Sequence, residues 1–406
     1  MKVVISGYYG FDNAGDEAVL AAMLADLRRA CPDLDPVVLS GAPQRTAQRH
    51  GVQAVHRLSL AAVRQALRGA SLFISGGGTL LQDATGWGSV PYYGGLMMLA
   101  QRSGVAVFVY AQGIGPLRRP LLRRWAARAL AVARCVTVRD AASAIEARQL
   151  GVPAERLAVT ADPVFGLAAG DASVPASALA RQVLASLPDG PIIGVSLRPD
   201  PGGSGLPAGP QAAGGAGGDR SLAGGAFRAG DVDLVEWAAA ALRPRLAALG
   251  ARVLPLPLYP AQDAPLLAAL QKALGPWALP WPARVDPAAL SAADWLVVCR
   301  RLDLCLTMRL HGLIFAACAG VPFVACGHDP KLAGHVDELG LPRERFLIPE
   351  AGGLGDALEA LWPQRERWRP HVVKGAARLA ERARATAQHA LAAAGRATPG
   401  VKEAVP

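Results

Sequence analysis

The chain has 406 residues, a length that accommodates two domains with substantial hydrophobic cores. It is 52% hydrophobic, 18% charged and carries a formal net charge of +10. No apolar run reaches about 18 residues, so no transmembrane helix is expected. Residues 1–7 are too short an apolar stretch for a signal peptide, and a cytoplasmic protein is therefore expected.

The positive charge is interpreted as arginine scattered over several predicted helices. Three interpretations compete: a solvated face, a nucleic-acid surface, and a surface that contacts anionic lipids or phosphorylated substrates. Aromatic residues make up only 5% of the chain, and no nucleic-acid-binding motif is present, so no nucleic-acid partner is expected. The six cysteines lie mostly in apolar stretches without CxxC spacing, which predicts buried thiols and no metal site.

In chain order, strands are predicted at residues 2–6, 35–40, 71–75, 105–110 and 135–138. Each ends in a polar or glycine-rich turn. Because the carboxyl ends of parallel strands share one edge of a sheet, this repetition predicts a binding site along that edge. The first turn, residues 7–17, lacks the GxGxxG order of a dinucleotide fold.

The first turn contains side chains suited to accepting hydrogen bonds from sugar hydroxyls, namely Asp12, Asn13 and Asp16. The alternative is that Asn13 and Asp16 only cap the following helix, and both interpretations stay open. Asp16 and Glu17 also complement the helix dipole. Three glycines at 76–78 would let a ligand or another backbone approach closely.

The domain boundaries follow from composition. We predict an amino-terminal domain at 1–170, a linker at 171–190, a second domain at 191–365, and a carboxyl-terminal helix and tail at 366–406. Residues 200–230 predict a flexible glycine-rich loop, either a lid or an inert insertion.

Residues 302–331 contain the most informative stretch of the second domain. A predicted strand at 304–307 leads through Arg309 and His311 into an apolar helix at 313–319, and a second strand follows at 321–326. Arg309 offers a bidentate fork for a carboxylate or phosphate, His311 exchanges protons near neutrality, and the helix start favours an anion. Taken alone, such a pair is more often structural.

The ordered set of motifs closely resembles the polysaccharide pyruvyl transferase family, and within it the CsaB-type enzymes of cell-wall polysaccharide. The resemblance extends from residue 1 to about residue 365. The chain departs from the family pattern in the insertion after Pro199, at Gly312 where alanine is expected, and at Gly327 and His328. The motifs are GYYGFDNAGDEAVL at 7–20, ISGGGTLLQD at 74–83, VYAQGIGPLRRP at 109–120, TVRD at 137–140, TADPVF at 160–165, GVSLRP at 194–199, MRLHGLIFAACAGVP at 308–322 and DPK at 329–331.

The resemblance implies an α/β protein of two Rossmann-like, doubly wound domains that face a cleft, as in GT-B-type enzymes. It implies transfer of a pyruvyl group from phosphoenolpyruvate, without a further cofactor, to N-acetylmannosamine on a lipid-linked polysaccharide precursor. The product would be a 4,6-ketal that anchors S-layer proteins. Peripheral contact with the inner membrane surface and homo-oligomerisation stay open.

The resemblance also implies roles for individual residues. His311 would give and take a proton, Arg309 and Arg198 would bind the donor, and Lys331 would add a phosphate contact. The acceptor would lie against the first domain, whose implied contacts are Asp12, Asn13, Asp16, Gly77 and Gln82. Arg139 either reaches this site or forms a structural ion pair. For the function of the whole chain, two alternatives to pyruvyl transfer remain: a nucleotide-sugar-dependent GT-B glycosyltransferase and a non-catalytic carbohydrate-binding protein.

Overall fold

A computed structural model describes residues 1–84, 86–168, 176–199, 229–327, 329–348 and 353–395. The predicted glycine-rich loop lies almost entirely outside these ranges. The chain divides into two compact units, one formed by Met1–Asp171 with Ala377–Pro406 and the other by Ala172–Ala376. In the described part of the chain, no helix is long and apolar enough to cross a bilayer.

The first unit alternates strands and helices as the sequence predicts, with additional short elements. Its elements are β1 (Lys2–Ser6), α1 (Ala14–Ala30), β2 (Asp35–Ser40), α2 (Pro43–His50), β3 (Gln53–His56), α3 (Leu60–Leu67), β4 (Leu72–Ser75), β5 (Gly78–Leu81), α4 (Ser89–Arg102), β6 (Ala106–Ile114), α5 (Pro120–Ala131), β7 (Cys135–Val138), α6 (Ala141–Gln149), β8 (Leu157–Val159) and α7 (Phe165–Ala168).

The strands of the first unit form one parallel sheet in the order β3-β2-β1-β4-β6-β7-β8. β5 pairs with β6 beyond the end of β4, so that it extends β4 after an interruption at the glycines. Val3, Val4 and Ile5 of β1 are all fully buried. Such continuous apolar strands are typical of a parallel sheet that is covered on both faces.

The second unit contains a five-stranded parallel sheet in the order β10-β9-β11-β12-β13. Part of the predicted linker forms a helix capped by Ser177. The elements are α8 (Ala178–Ala185), β9 (Ile192–Ser196), α9 (Ala229–Leu249), β10 (Arg252–Pro255), α10 (Pro260–Leu274), α11 (Ala292–Arg300), β11 (Leu304–Thr307), α12 (Leu310–Cys318), β12 (Phe323–Cys326), α13 (Pro330–Glu338), α14 (Arg343–Phe346), β13 (Leu347–Ile348), α15 (Leu354–Leu361) and α16 (Arg365–Ala393).

The last helix, α16, begins in the second unit, and its residues from Ala377 onward belong to the first. In the first unit, Arg382 Nη2 donates to the carbonyl oxygen of Thr160 at 2.6 Å. Arg134 Nη1 likewise donates to the carbonyl oxygen of Ala393 at 3.0 Å. The end of the long helix is thus part of the first unit, a connection that composition alone does not predict.

Candidate functional site

The topological switch point of the second unit lies between β9 and β11, where the strand order reverses. Ligands of open α/β sheets bind at the carboxyl ends of such strands. The register places Ser196 opposite Thr307 at this edge. Arg198 and Arg309 each follow two residues later, so both predicted donor-binding arginines start from the same edge of the sheet.

Arg309 is the N-cap residue of α12, and its guanidinium binds a carboxylate that the sequence analysis did not single out. Nε donates to both carboxylate oxygens of Asp263, at 2.9 and 2.8 Å, while Nη2 contacts Asp263 Oδ1 and Gln262 Oε1. Asp263 is fully buried in the first turn of α10, and its Oδ2 also accepts a hydrogen bond from Tyr259 N at 2.8 Å. These contacts fix the orientation of the Arg309 fork.

Burial dominates the electrostatics of this carboxylate. Desolvation raises the pKa of Asp263 above its ordinary value, and the interactions with Arg309, the Tyr259 amide and Arg198 offset this only in part. The effect of Arg198 shows that both predicted arginines lie near the same carboxylate. The Arg309 side chain is only 13% exposed, so an anion would interact with it more strongly than with a fully solvated cation.

A second ion pair connects the neighbouring strand ends. Arg198 Nη1 lies 3.6 Å from Asp329 Oδ2, and the Arg198 side chain is 42% exposed. Asp329 caps α13, where its Oδ1 accepts a hydrogen bond from Lys331 N at 3.0 Å. Arg198, Arg309 and Lys331 therefore follow β9, β11 and β12, which are consecutive in the sheet.

His311 is the second residue of α12 and is partly exposed. The turn that precedes it is held by Thr307, whose hydroxyl accepts a hydrogen bond from Arg309 N at 3.1 Å and donates one to Arg309 O at 2.9 Å. His311 thus lies in the first turn of a helix whose start is fixed to the end of β11.

Gly312 is the position at which the sequence departs from the expected alanine, and its surroundings explain why glycine is present. A Cβ there would lie 2.2 Å from Thr307 Oγ1 and 3.3 Å from Leu258 Cδ1. We expect Gly312→Ala to lower the free energy of unfolding by about 1–3 kcal/mol because of overpacking. Urea denaturation measures this loss.

The matched control is Gly334→Ala in α13, where a Cβ would meet nothing within 4 Å. Alanine is favoured over glycine in a helix by about 1 kcal/mol, so this variant should be as stable as wild type or more stable. Equal destabilisation by the two substitutions would contradict the packing explanation.

The switch point of the first unit lies between β1 and β4. Ser6 at the end of β1 is opposite Leu39 of β2 and Ser75 of β4. Gly78 has a φ of 87°, and a Cβ at this position would lie 3.0 Å from Asp16 Oδ1. The first-turn motif and the glycine motif, both implied in acceptor binding, are therefore adjacent.

The polar side chains of the first turn have identifiable partners. Asn13 is the N-cap of α1 and accepts a hydrogen bond from Gly15 N at 3.1 Å, which is the capping role. Asp12 has a left-handed backbone with a φ of 60°, and its Oδ2 accepts a hydrogen bond from Arg45 Nη1 at 2.7 Å. Because Asp12, Asn13 and Asp16 are all partly exposed, sugar binding by these side chains stays a proposal.

The glycines after β4 make room for side chains of the protein itself. A Cβ at Gly76 would lie 2.2 Å from the hydroxyl oxygen of Tyr9, and one at Gly77 would lie 2.5 Å from Val19 Cγ1. Tyr9 is fully buried, and burial together with the charge of Asp16 raises its pKa well above the ordinary value. The close approach that the glycine run predicts is therefore made by Tyr9 and α1.

Arg139 is part of a buried ion pair. Its Nη1 donates to Asp162 Oδ2 at 2.8 Å, its Nη2 donates to Thr79 Oγ1 at 3.0 Å, and its Nε lies 3.7 Å from Asp140 Oδ2. Arg139 is 3% exposed and Asp162 is fully buried. These contacts are those of a structural ion pair, the second of the two roles considered for Arg139.

Gln82, which directly follows β5, is also buried.

Glu17, which the sequence predicts only to complement the helix dipole, forms a buried network. Its Oε1 accepts a hydrogen bond from Gly10 N at 2.8 Å, and its Oε2 lies 2.7 Å from His50 Nε2 and 3.8 Å from Arg49 Nη1. Burial alone would raise the pKa of Glu17. The hydrogen bonds from His50 and Gly10 and the charges of His50 and Arg49 outweigh it, so the pKa lies below the ordinary value.

The network predicts a pH-dependent stability difference. A carboxyl group whose pKa is lowered by folding stabilises the protein above the unfolded-state pKa of about 4.3, and this contribution is lost as the pH falls through the folded-state pKa. We expect Glu17→Gln to be less stable than wild type by roughly 1–3 kcal/mol at neutral pH, with the gap narrowing below about pH 4. Urea denaturation at both pH values tests this, with the exposed Glu359→Gln as control; a gap that is independent of pH would disprove it.

A family model for polysaccharide pyruvyl transferases matches residues 13–330. This range covers well over half of the chain and includes most of the strand-end motifs of both units, while Asp12 and Lys331 lie just outside it. The chain belongs to the polysaccharide pyruvyl transferase family. No curated protein sequence matches this pyruvyl transferase family member.

Solved structures resemble this family member over nearly its whole length. The MnaA–UDP structure of S. aureus has a TM-score of 0.60 and 14% identity, with 94% of each chain covered. UDP-GlcNAc 2-epimerase from Methanocaldococcus jannaschii has a TM-score of 0.59 and 11% identity, covering 93% of this chain and 98% of its own. The structure of Anabaena Alr3699/HepE in complex with UDP and glucose has a TM-score of 0.57 and 14% identity, covering 96% of this chain and 98% of its own. This likeness confirms the predicted GT-B-like α/β fold.

Proposed function

We propose that this pyruvyl transferase uses phosphoenolpyruvate as its donor and a lipid-linked cell-wall polysaccharide precursor as its acceptor. The observation that supports the donor is the placement of Arg198, Arg309 and Lys331 at consecutive strand ends, with His311 in the helical turn after Arg309. Following the CsaB-type resemblance, the acceptor sugar is N-acetylmannosamine and the product is a 4,6-ketal for S-layer anchoring.

The donor's charge matches this arrangement. Phosphoenolpyruvate carries a phosphate and a carboxylate on one three-carbon skeleton, so it needs several cations close together. Arg309 is held by Asp263 through Nε and Nη2, and among the described residues nothing accepts a hydrogen bond from Nη1. Arg198 is partly exposed, and the amino-terminal end of α12 adds the positive end of a helix dipole, which favours an anion.

The proposed reaction begins with protonation of the donor's methylene carbon by His311. A sugar hydroxyl attacks the resulting oxocarbenium-like carbon and loses its proton to the neutral imidazole. A second hydroxyl of the same sugar then forms the second C–O bond as the C–O bond to phosphate breaks. Its proton leaves with the phosphate or to solvent, so that one ketal and one phosphate are formed. No redox step and no further cofactor are needed.

The acceptor is assigned to the first unit. Asp12, Asn13 and Asp16 are partly exposed at its switch point, and their oxygens are suited to sugar hydroxyls. Gly77 and Gln82 are buried and would act through the backbone and the loop that they support.

A cytoplasmic location, peripheral membrane contact and a homo-oligomeric state belong to the same proposal.

A second candidate function is nucleotide-sugar chemistry, because structures that share the fold contain UDP. The two candidates differ in the ligand that should stabilise the protein. We expect phosphoenolpyruvate at about 100 times its dissociation constant to raise the Tm by roughly 2–4 °C. Differential scanning fluorimetry measures the shift. UDP or UDP-N-acetylglucosamine at the same concentration should leave the Tm unchanged, and stabilisation by UDP alone would favour the second candidate.

A further inference from the structure

The positive charge of the chain is concentrated in one segment of the first unit. Residues 36–139 contain 13 arginines and no lysine, against a single carboxylate, Asp83. The formal charge of this segment is +12, which exceeds the +10 of the whole chain. The segment owes this charge to its near-lack of carboxylates, since its arginines are themselves spread over α2, α3, α4 and α5. The rest of the chain is slightly acidic.

Exposed apolar side chains occur in the same segment. Among the described residues, seven large apolar side chains are exposed, and four of them lie on three successive strand-to-helix connections of the first unit. Leu58 and Leu60 follow β3 and are 68% and 50% exposed, Trp87 precedes α4 and is 58% exposed, and Leu121 in the first turn of α5 is 54% exposed. All three connections start from the carboxyl edge of the parallel sheet.

Contacts join these connections into one surface. The Arg119 guanidinium lies over the Trp87 ring, 4.9 Å from its centroid, and Leu121 follows Arg119 by two residues. The Arg57 guanidinium lies 4.2 Å from the ring centroid of Tyr92, whose hydroxyl donates to Arg57 O at 2.9 Å. Tyr92 is in the first turns of α4, which begins two residues after Trp87. We call the surface of Leu58, Leu60, Trp87, Arg118, Arg119, Leu121 and Arg124 the basic apolar edge.

Asp83, the one carboxylate of residues 36–139, does not neutralise the positive charge of the basic apolar edge at the protein surface. The Asp83 side chain is 1% exposed, and its Oδ2 accepts hydrogen bonds from the backbone N–H groups of Arg118 and Arg119 at 2.8 and 2.7 Å. Asp83 thereby holds the start of α5 beside the Trp87 loop. Arg123 contacts Glu146 of α6 and is not counted as part of the edge, whereas Arg118 and Arg124 are exposed.

We propose that the basic apolar edge docks this protein on the surface of an anionic lipid bilayer. Tryptophan and leucine side chains enter the headgroup region of a membrane, and arginines next to them contact lipid phosphates. The edge offers both kinds of side chain and, among its described residues, no exposed carboxylate. This inference deepens the peripheral membrane contact of the proposed function by naming its surface. Its test needs neither donor nor acceptor, so docking can fail while the transfer reaction stands.

The test is co-sedimentation of the full chain with vesicles of phosphatidylcholine plus phosphatidylglycerol, compared with vesicles of phosphatidylcholine alone. We expect binding to the anionic vesicles that weakens strongly in about 0.5 M salt, where the Debye length falls toward a few ångströms. Arg118→Ser with Arg124→Ser should weaken binding roughly 20- to 30-fold. Trp87→Ser with Leu121→Ser should weaken it about tenfold.

Matched controls come from exposed positions of the second unit. Arg284→Ser with Arg367→Ser removes the same charge, and Val373→Ser removes an exposed apolar side chain; neither should change binding. Brominated acyl chains should quench part of the tryptophan fluorescence of wild type, and this part should be absent in Trp87→Phe. Circular dichroism melting shows that the variants are folded.

The proposal fails if wild type does not bind anionic vesicles, or if the edge variants bind as well as the controls. Self-association that is lost in Trp87→Ser with Leu121→Ser, without vesicle binding, would instead assign the edge to a second copy of the chain. Preferential binding of duplex DNA over anionic vesicles would assign it to nucleic acid. Either result overturns membrane docking while leaving the transfer reaction untouched.

Discussion

Asp263→Ala should raise the KM for phosphoenolpyruvate by roughly 10- to 100-fold, because the carboxylate holds the Arg309 fork that is proposed to bind the donor. The same substitution should lower the free energy of unfolding by about 3–5 kcal/mol, since it removes one partner of a buried ion pair and leaves the other without its counter-charge. Initial-rate kinetics and urea denaturation of one preparation measure both effects.

Two further variants separate positioning from folding. Asp263→Asn keeps the side-chain volume and removes a carboxylate whose pKa burial raises, so its stability loss should be smaller than that of Asp263→Ala while the KM stays high. Asp337→Ala breaks an ion pair with Arg343 in which both side chains are about half exposed. This substitution should lower the free energy of unfolding by less than about 1 kcal/mol and leave the KM for phosphoenolpyruvate unchanged. A normal KM in a folded Asp263→Ala protein would show that Arg309 needs no support.

The sequence correctly predicts which side chains lie at the strand ends, because a strand and the turn that follows it are adjacent in the chain. Arg198 and Arg309 both follow short apolar strands, and parallel pairing brings such ends to one edge whatever the intervening chain does. The helix after Arg309 was predicted at 313–319 but starts at Leu310, because Arg309 is not among the side chains that mark an N-cap. His311 is therefore inside the first helical turn instead of ahead of it.

The partners of these side chains could not be predicted, because they are distant along the chain. Asp263 is 46 residues from Arg309, and in the sequence it is only an acidic residue in a helix start. Glu17 and His50 are 33 residues apart, so no local spacing connects them. The glycines at 76–78 were interpreted as access for a ligand or another backbone, whereas the side chains of Tyr9 and Val19 approach them.

The distribution of charge could have been found from the sequence. A count along the chain shows that residues 36–139 contain one carboxylate and 13 arginines. What the count cannot show is which of these arginines are exposed. Arg139 is buried against Asp162, while Arg118 and Arg124 are exposed.

The most direct test of the proposed reaction is phosphate release from phosphoenolpyruvate in the presence of an N-acetylmannosaminyl lipid-linked or aryl-linked acceptor. We expect release by wild type that requires the acceptor and falls about 10²- to 10⁴-fold in His311→Ala, because the proton donor to the methylene carbon is lost. His371→Ala, which removes an exposed histidine of the same unit, should react like wild type. Release that is unaffected in His311→Ala would contradict the role of His311, and no release with any such acceptor would contradict pyruvyl transfer itself.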